Sequence, residues 1–215
     1  MVCVVETASS LMPALTRTAA RQLCDQTVGT RHLVMRASVT SKVGAVWQYR
    51  NNIDIYTERS RADTMKPECD HSLECQLVEM ALVRAFSDHK CVSNSMATIQ
   101  ATNMLRAVVN DHANLNVTSA KVNQGKKGPF TAALNRVCDD RLRTVHIDQL
   151  VRQGRGGWMI DGGTWAKIEK SVVQSYDQMD TSLRGGGIDA LPAASQLVDA
   201  TMEELQQLLH SLGLG

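Results

Sequence analysis

Apolar residues recur at helical spacing at Leu11, Leu15, Ala19 and Leu23 behind Ser9 and Ser10, which predicts a helix from about Ser10 to Thr27 that Gly29 ends. From Arg31 the period becomes two. Leu33, Met35, Ala37 and Val39 alternate with polar positions, Val43, Ala45, Trp47 and Tyr49 repeat the pattern, and Ile53, Ile55 and Thr57 follow it. With turns at Ser41-Lys42 and Asn51-Asn52, these runs predict a three-stranded antiparallel meander over residues 31–59. One face of it, bearing Trp47, should pack on helices.

Past Pro67 the helical period returns. Ser72 and Ser95 are placed to cap helices carrying Leu73, Leu77 and Met80, and Ile99, Met104 and Leu105. A polar connection runs from Asn114 to Gly128, and Pro129 opens a helix with Ala133, Leu134 and Val137. Further helices are predicted in 145–151, 164–183 and 192–212, separated by glycine clusters. The fold class is therefore α+β: a mostly helical domain over 1–184 with a small meander near its N-terminus, then a C-terminal helical arm over 188–215 behind the Gly185-Gly186-Gly187 hinge.

Net charge is +1, which argues against a wholesale basic nucleic-acid binder, but the charge is unevenly placed. Residues 121–155 carry a local excess of five positive charges, and residues 171–215 an excess of five negative ones. Opposite surfaces of this kind suit contact between copies of one chain, and the basic one equally suits a phosphate backbone. Lys126, Lys127, Arg141, Arg143, Arg152 and Arg155 are the candidate nucleic-acid contacts. In the arm, Leu197, Leu205 and Leu208 form an apolar stripe while Asp199, Glu203 and Glu204 lie off it, making these the candidate assembly residues.

Other chemistry is weaker. Six cysteines in a chain of this length, with no basic start or apolar leader before Glu6, read as reduced buried thiols in the cytosol. No apolar run reaches the roughly 18 residues of a membrane span. Cys69, His71, Cys75, His89 and Cys91 offer zinc-type ligands without paired Cys spacing, so no metal is assigned. Cys138, His146 and Asp148 are the one compact Cys/His/Asp grouping, but Cys138 follows Leu134 and Val137 on an apolar stripe, so no catalytic residue is assigned either. Gly125-Lys126-Lys127-Gly128 lacks the glycine spacing of a phosphate loop.

The expected function is a structural subunit of a repeating assembly, of the viral coat or nucleocapsid kind, enclosing RNA and not acting as an enzyme. Its expected partners are other copies of itself and RNA, with no membrane, cofactor or small-molecule substrate, in the cytoplasm or within a virion. A non-catalytic accessory subunit of a heteromeric complex is the alternative, and a cysteine-dependent enzyme the third.

Overall fold

The computed structural model describes residues 35, 37–88, 95–139, 144–152, 160–185 and 190–214. The predicted helix over 10–27, the first predicted strand up to residue 34 and the Gly186-Gly187 hinge lie outside them. The described residues form seven α-helices and one two-stranded sheet: α1 (Val43–Tyr49), β1 (Pro67–His71), α2 (Cys75–Asp88), α3 (Ser95–Val109), β2 (Leu115–Ser119), α4 (Ala120–Asp139), α5 (Ile147–Arg152), α6 (Gly162–Gly185) and α7 (Pro192–Ser211). The mostly helical class stands, but the three-stranded meander does not.

Residues 43–49 are helix, and Ile53 makes only an isolated bridge with Ser60. The reason is legible in the side chains. Val43, Ala45, Trp47 and Tyr49 alternate, but Val46 is also apolar, and a seven-residue run with apolar groups at both parities fits either period. The burial is helical: Val46 and Trp47 are buried, with Val43 three residues before Val46, while Ala45 and Tyr49 are exposed. Trp47 is a core residue as expected, on a different element. Asn51 and Asn52 both take left-handed backbone, which asparagine tolerates better than most residues, and they turn the chain away after α1.

The real strands are far apart in sequence. β1 and β2 pair antiparallel in the register Pro67↔Ser119, Cys69↔Val117 and His71↔Leu115, with α2 and α3 between them in the chain. Strand alternation gives the sheet two unlike faces. Leu115 and Val117 join Val39, Val46 and Trp47 in a small apolar cluster, with Cys69 packed against it. On the other face Asp70, Asn116 and Thr118 are all buried polar groups.

That polar face is covered by the loop 52–64 and by α4. Asp54, fully buried, accepts from Thr57 Oγ1 (2.6 Å), Asn116 Nδ2 (2.8 Å), Thr118 Oγ1 (2.8 Å) and the Tyr56 N–H (3.0 Å), so a carboxylate that would be costly to bury alone is satisfied by four donors. α4 begins directly after β2 and runs through Gly125-Lys126-Lys127-Gly128 and Pro129, where the sequence predicts a connection and a helix start. What continues the helix is a stripe of Lys126, Phe130, Ala133, Leu134 and Val137, all buried, in which the lysine takes a core position.

The main core lies between helices. α7 packs on α2 and α3, and Leu197, Leu205 and Leu208 are buried in the same cluster as Leu77, Ala81 and Leu105. The stripe expected to reach a neighbouring subunit is thus covered by the chain's own helices. Asp199 and Glu203 face solvent as predicted, and Glu204 is half-buried. Pro192 takes the first turn of α7, where its missing N–H costs little. Among the described residues no helix is long and apolar enough to cross a membrane.

Candidate functional site

Among the described residues β1 pairs only with β2, and β1 lines a cleft of about 550 Å³. All five residues of β1 line it, together with Ser38 and Thr40 from the preceding segment, Glu74 and Gln76 at the start of α2, and Asn123, Gln124 and Lys127 on α4. The lining is rich in carboxylates, amides and hydroxyls. Val39, Val43, Pro67 and Cys75 make the rest of the wall apolar, so it suits a ligand with both polar and apolar parts.

His71 is the group in this cleft whose orientation is most tightly specified. Asn110 Nδ2 donates to the carbonyls of Met35 and Arg106, both at 2.7 Å, which fixes the other end of the amide as the acceptor. Asn110 Oδ1 then receives the Ala37 N–H at 3.1 Å and lies 3.0 Å from His71 Nε2. An amide oxygen can only accept, so His71 donates its Nε2–H to Asn110. Lys42 Nζ secures the same turn by donating to the Asn110 carbonyl at 2.8 Å.

Behind the cleft, Lys126 is wholly buried. Its ammonium donates to Asp70 Oδ2 (2.7 Å), Glu74 Oε1 (3.0 Å) and the His71 carbonyl, and lies over the rings of Tyr56 and Phe130. Burial pulls the lysine pKa down, but Asp70 and then Glu74 outweigh it and hold it well above the ordinary value. Asp70 is pushed up by burial against the pull of Lys126. Its Oδ2 also receives the Tyr56 hydroxyl at 2.9 Å, and a carboxylate flanked by an ammonium and a phenol donor is the ionised acceptor in a charge-assisted network. Tyr56 itself is raised by burial and stays a donor.

Two neighbouring groups settle which chemistry the cleft can do. Burial, and after it Asp70, pushes the Cys69 thiol up to about 11, so it is no thiolate at neutral pH. Asn123 donates to Glu68 Oε2 at 2.8 Å, which leaves its amide oxygen as the end available to a ligand. Among the described residues no three His, Cys, Asp or Glu side chains converge into a metal cage. Glu68 and Asn123 nonetheless supply hard oxygens of the sort magnesium and calcium prefer.

The predicted site residues are dispersed. Lys126 cannot reach a phosphate, because it is buried with its ammonium spent on acceptors inside the protein. Lys127, one residue on, is exposed at the cleft. Arg152 is exposed elsewhere and pairs with Asp148 at 3.4 Å. Arg141, Arg143 and Arg155 lie outside the described residues, as does the side chain of Cys138. Of the residues weighed for zinc, Cys69, His71 and Cys75 do share the cleft. Asn110 and Asn123 carried no signal in their own neighbourhoods. No family model matches this chain, and neither curated proteins nor solved structures show a significant similarity to it.

Proposed function

We propose that the chain is a hydrolase of nucleic-acid phosphodiesters, with His71 as the general base. The observation that carries the reading is the clamp on His71: an amide oxygen from Asn110, itself fixed by two carbonyls, orients a buried imidazole in the wall of the cleft. Base held by an orienting group is the arrangement that general-base catalysis requires. Cys69, with its raised pKa, is a poor competitor as nucleophile, which makes water the attacking group.

The substrate class follows from the cleft's mixed charge. Three carboxylates (Glu68, Asp70, Glu74) would repel an anion; Lys126 sets one positive charge against two of them and Lys127 adds a second on the lining, so an excess of negative charge remains for a divalent cation to offset. A magnesium-type ion commonly takes only one or two protein carboxylates and completes its shell with water and substrate phosphate, so Glu68 and Asn123 are the groups assigned to hold it, Asp70 being spent on Lys126 and Tyr56. His71 takes a proton from water, the water oxygen bonds to phosphorus, and the P–O bond to the departing sugar oxygen breaks. That oxygen leaves as an alcohol after gaining a proton from solvent.

This reading keeps nucleic acid as the partner but replaces enclosure by cleavage. The expectation of a repeating subunit drew on the opposite charges of residues 121–155 and 171–215 and on the apolar stripe of the arm; of these, the stripe and Lys126 are taken up inside the fold. The test is cleavage of labelled RNA and DNA by purified protein with magnesium, manganese, calcium or chelator. Metal-dependent cleavage should fall by about 10²–10⁴-fold in His71→Ala, the usual contribution of a general base. Equal cleavage by His71→Ala, or none of either polymer with any of the metals, would overturn the proposal.

A further inference from the structure

We propose that a second cleft, across the first turns of α4 from the His71 cleft, grips the backbone phosphates of the same nucleic-acid strand. The choice of polymer rests on the proposed phosphodiester chemistry; the cleft has its own geometry. It holds about 420 Å³ and is lined by Thr57, Arg59, Ser119, Lys121, Thr164 and Lys167, among others. Lys121 and Val122 line this cleft, whereas Asn123, Gln124 and Lys127 line the other. At 3.6 residues per turn these two sets face opposite sides of α4, so a strand leaving the His71 cleft over the start of α4 enters this one.

The charge in this second cleft is available to a ligand. Of its two carboxylates, Asp54 is fully buried under four donors, which leaves one exposed negative charge, Asp161, accepting from the Thr164 N–H (2.9 Å) and Oγ1 (2.7 Å) at the start of α6. Lys167 pairs with Glu58 at 2.7 Å. Arg59 and Lys121 are exposed, and among the described residues neither makes an ion pair. These two cations, beside the Ser119 hydroxyl, form a surface that phosphate oxygens can satisfy without desolvating a buried charge.

The test is Arg59→Glu/Lys121→Glu, with Arg59→Gln/Lys121→Gln as a milder pair, each checked for an unchanged thermal melt. Binding of a labelled single-stranded oligonucleotide is read by fluorescence anisotropy across a salt series, in a His71→Ala background so that nothing is cut. Affinity should drop about tenfold or more, and the slope of log Kd against log salt should fall by about 1.4, the value for two phosphate contacts on a single strand. Hydrolysis of bis(4-nitrophenyl) phosphate, too small to span both clefts, should stay unchanged when His71 is present. Unchanged affinity and slope would overturn the inference, and so would a loss of small-substrate turnover as large as the loss with oligonucleotide. Weakened binding in a protein that hydrolyses neither substrate would support the cleft while refuting the hydrolase, so the two failures are distinct.

Discussion

Replacing Lys126 by Met removes one charge and keeps most of the stem that packs by Tyr56 and Phe130. The ammonium is wholly enclosed and holds Asp70, itself 6% exposed, and Glu74, 17% exposed, at 2.7 and 3.0 Å. Without it, two carboxylates share a site that water barely reaches. Removing one partner of a buried ion pair typically costs about 3–5 kcal/mol, because the charge left behind is uncompensated. For a chain of this size that is roughly 6–20 °C in Tm, at about 2–4 °C per kcal/mol. Urea titration should show a lower midpoint at unchanged m value. The pH dependence gives the electrostatic origin away. Burial already lifts the folded-state pKa of Asp70, and losing Lys126 removes the group that opposes it. A carboxyl whose folded pKa is raised penalises the fold at pH above that value, and the penalty fades as pH falls through it. The variant should therefore recover part of its lost stability on acidification, and Lys126→Met/Asp70→Asn should recover more at neutral pH. A loss below about 1 kcal/mol that does not change with pH would refute the reasoning, since surface lysines behave that way.

Trp47→Ala should cost about 3–5 kcal/mol, as large aromatic truncations in cores do, and an unchanged melting temperature would remove Trp47 from the core. Asp161 caps α6 by accepting the Thr164 N–H, so Asp161→Ala should cost about 1 kcal/mol by urea titration. The same bonds hold the Asp161 pKa below the usual carboxylate range, so its contribution is present above the unfolded value of about 3.9 and lost as pH falls below it. A cost that persists undiminished in acid would argue against the cap. Cys69 labelling by iodoacetamide, mapped by peptide mass, should keep accelerating up to pH about 11. Levelling off near the ordinary thiol value of about 8.5 would mean an activated thiolate and return Cys69 to the list of nucleophiles.

The helices were legible where one apolar stripe outran every competitor: α6 and α7 lie within a few residues of their predicted bounds, because Trp165, Ile168, Val172 and Met179, or Leu197, Leu205 and Leu208, repeat over several turns. Short segments were not, since seven residues from Val43 satisfy both periods and only their tertiary surroundings decide between them. The start of α4 was missed for a different reason. Gly125, Gly128 and Pro129 each disfavour helix, and two adjacent lysines read as solvent, but Lys126 is a core residue whose counter-charges lie 52 and 56 positions away at Glu74 and Asp70. Local propensity could not price that bond. The candidate site hid in the same way: His71 was weighed as a metal ligand with its sequence neighbours, whereas what orients it is Asn110, 39 residues on, held in turn by Met35 and Arg106. Asn114 and Asn116 lie in the segment read as a connection and Asn110 just before it, and each of these amides is buried and bonded to a partner at least 39 positions distant. A buried amide is expensive unless both its ends are satisfied, so three within seven residues mark a place where separate pieces of chain are being fastened together. Two of the pieces fastened here are the end of β1 and the segment before α1, and the cleft lies where they meet.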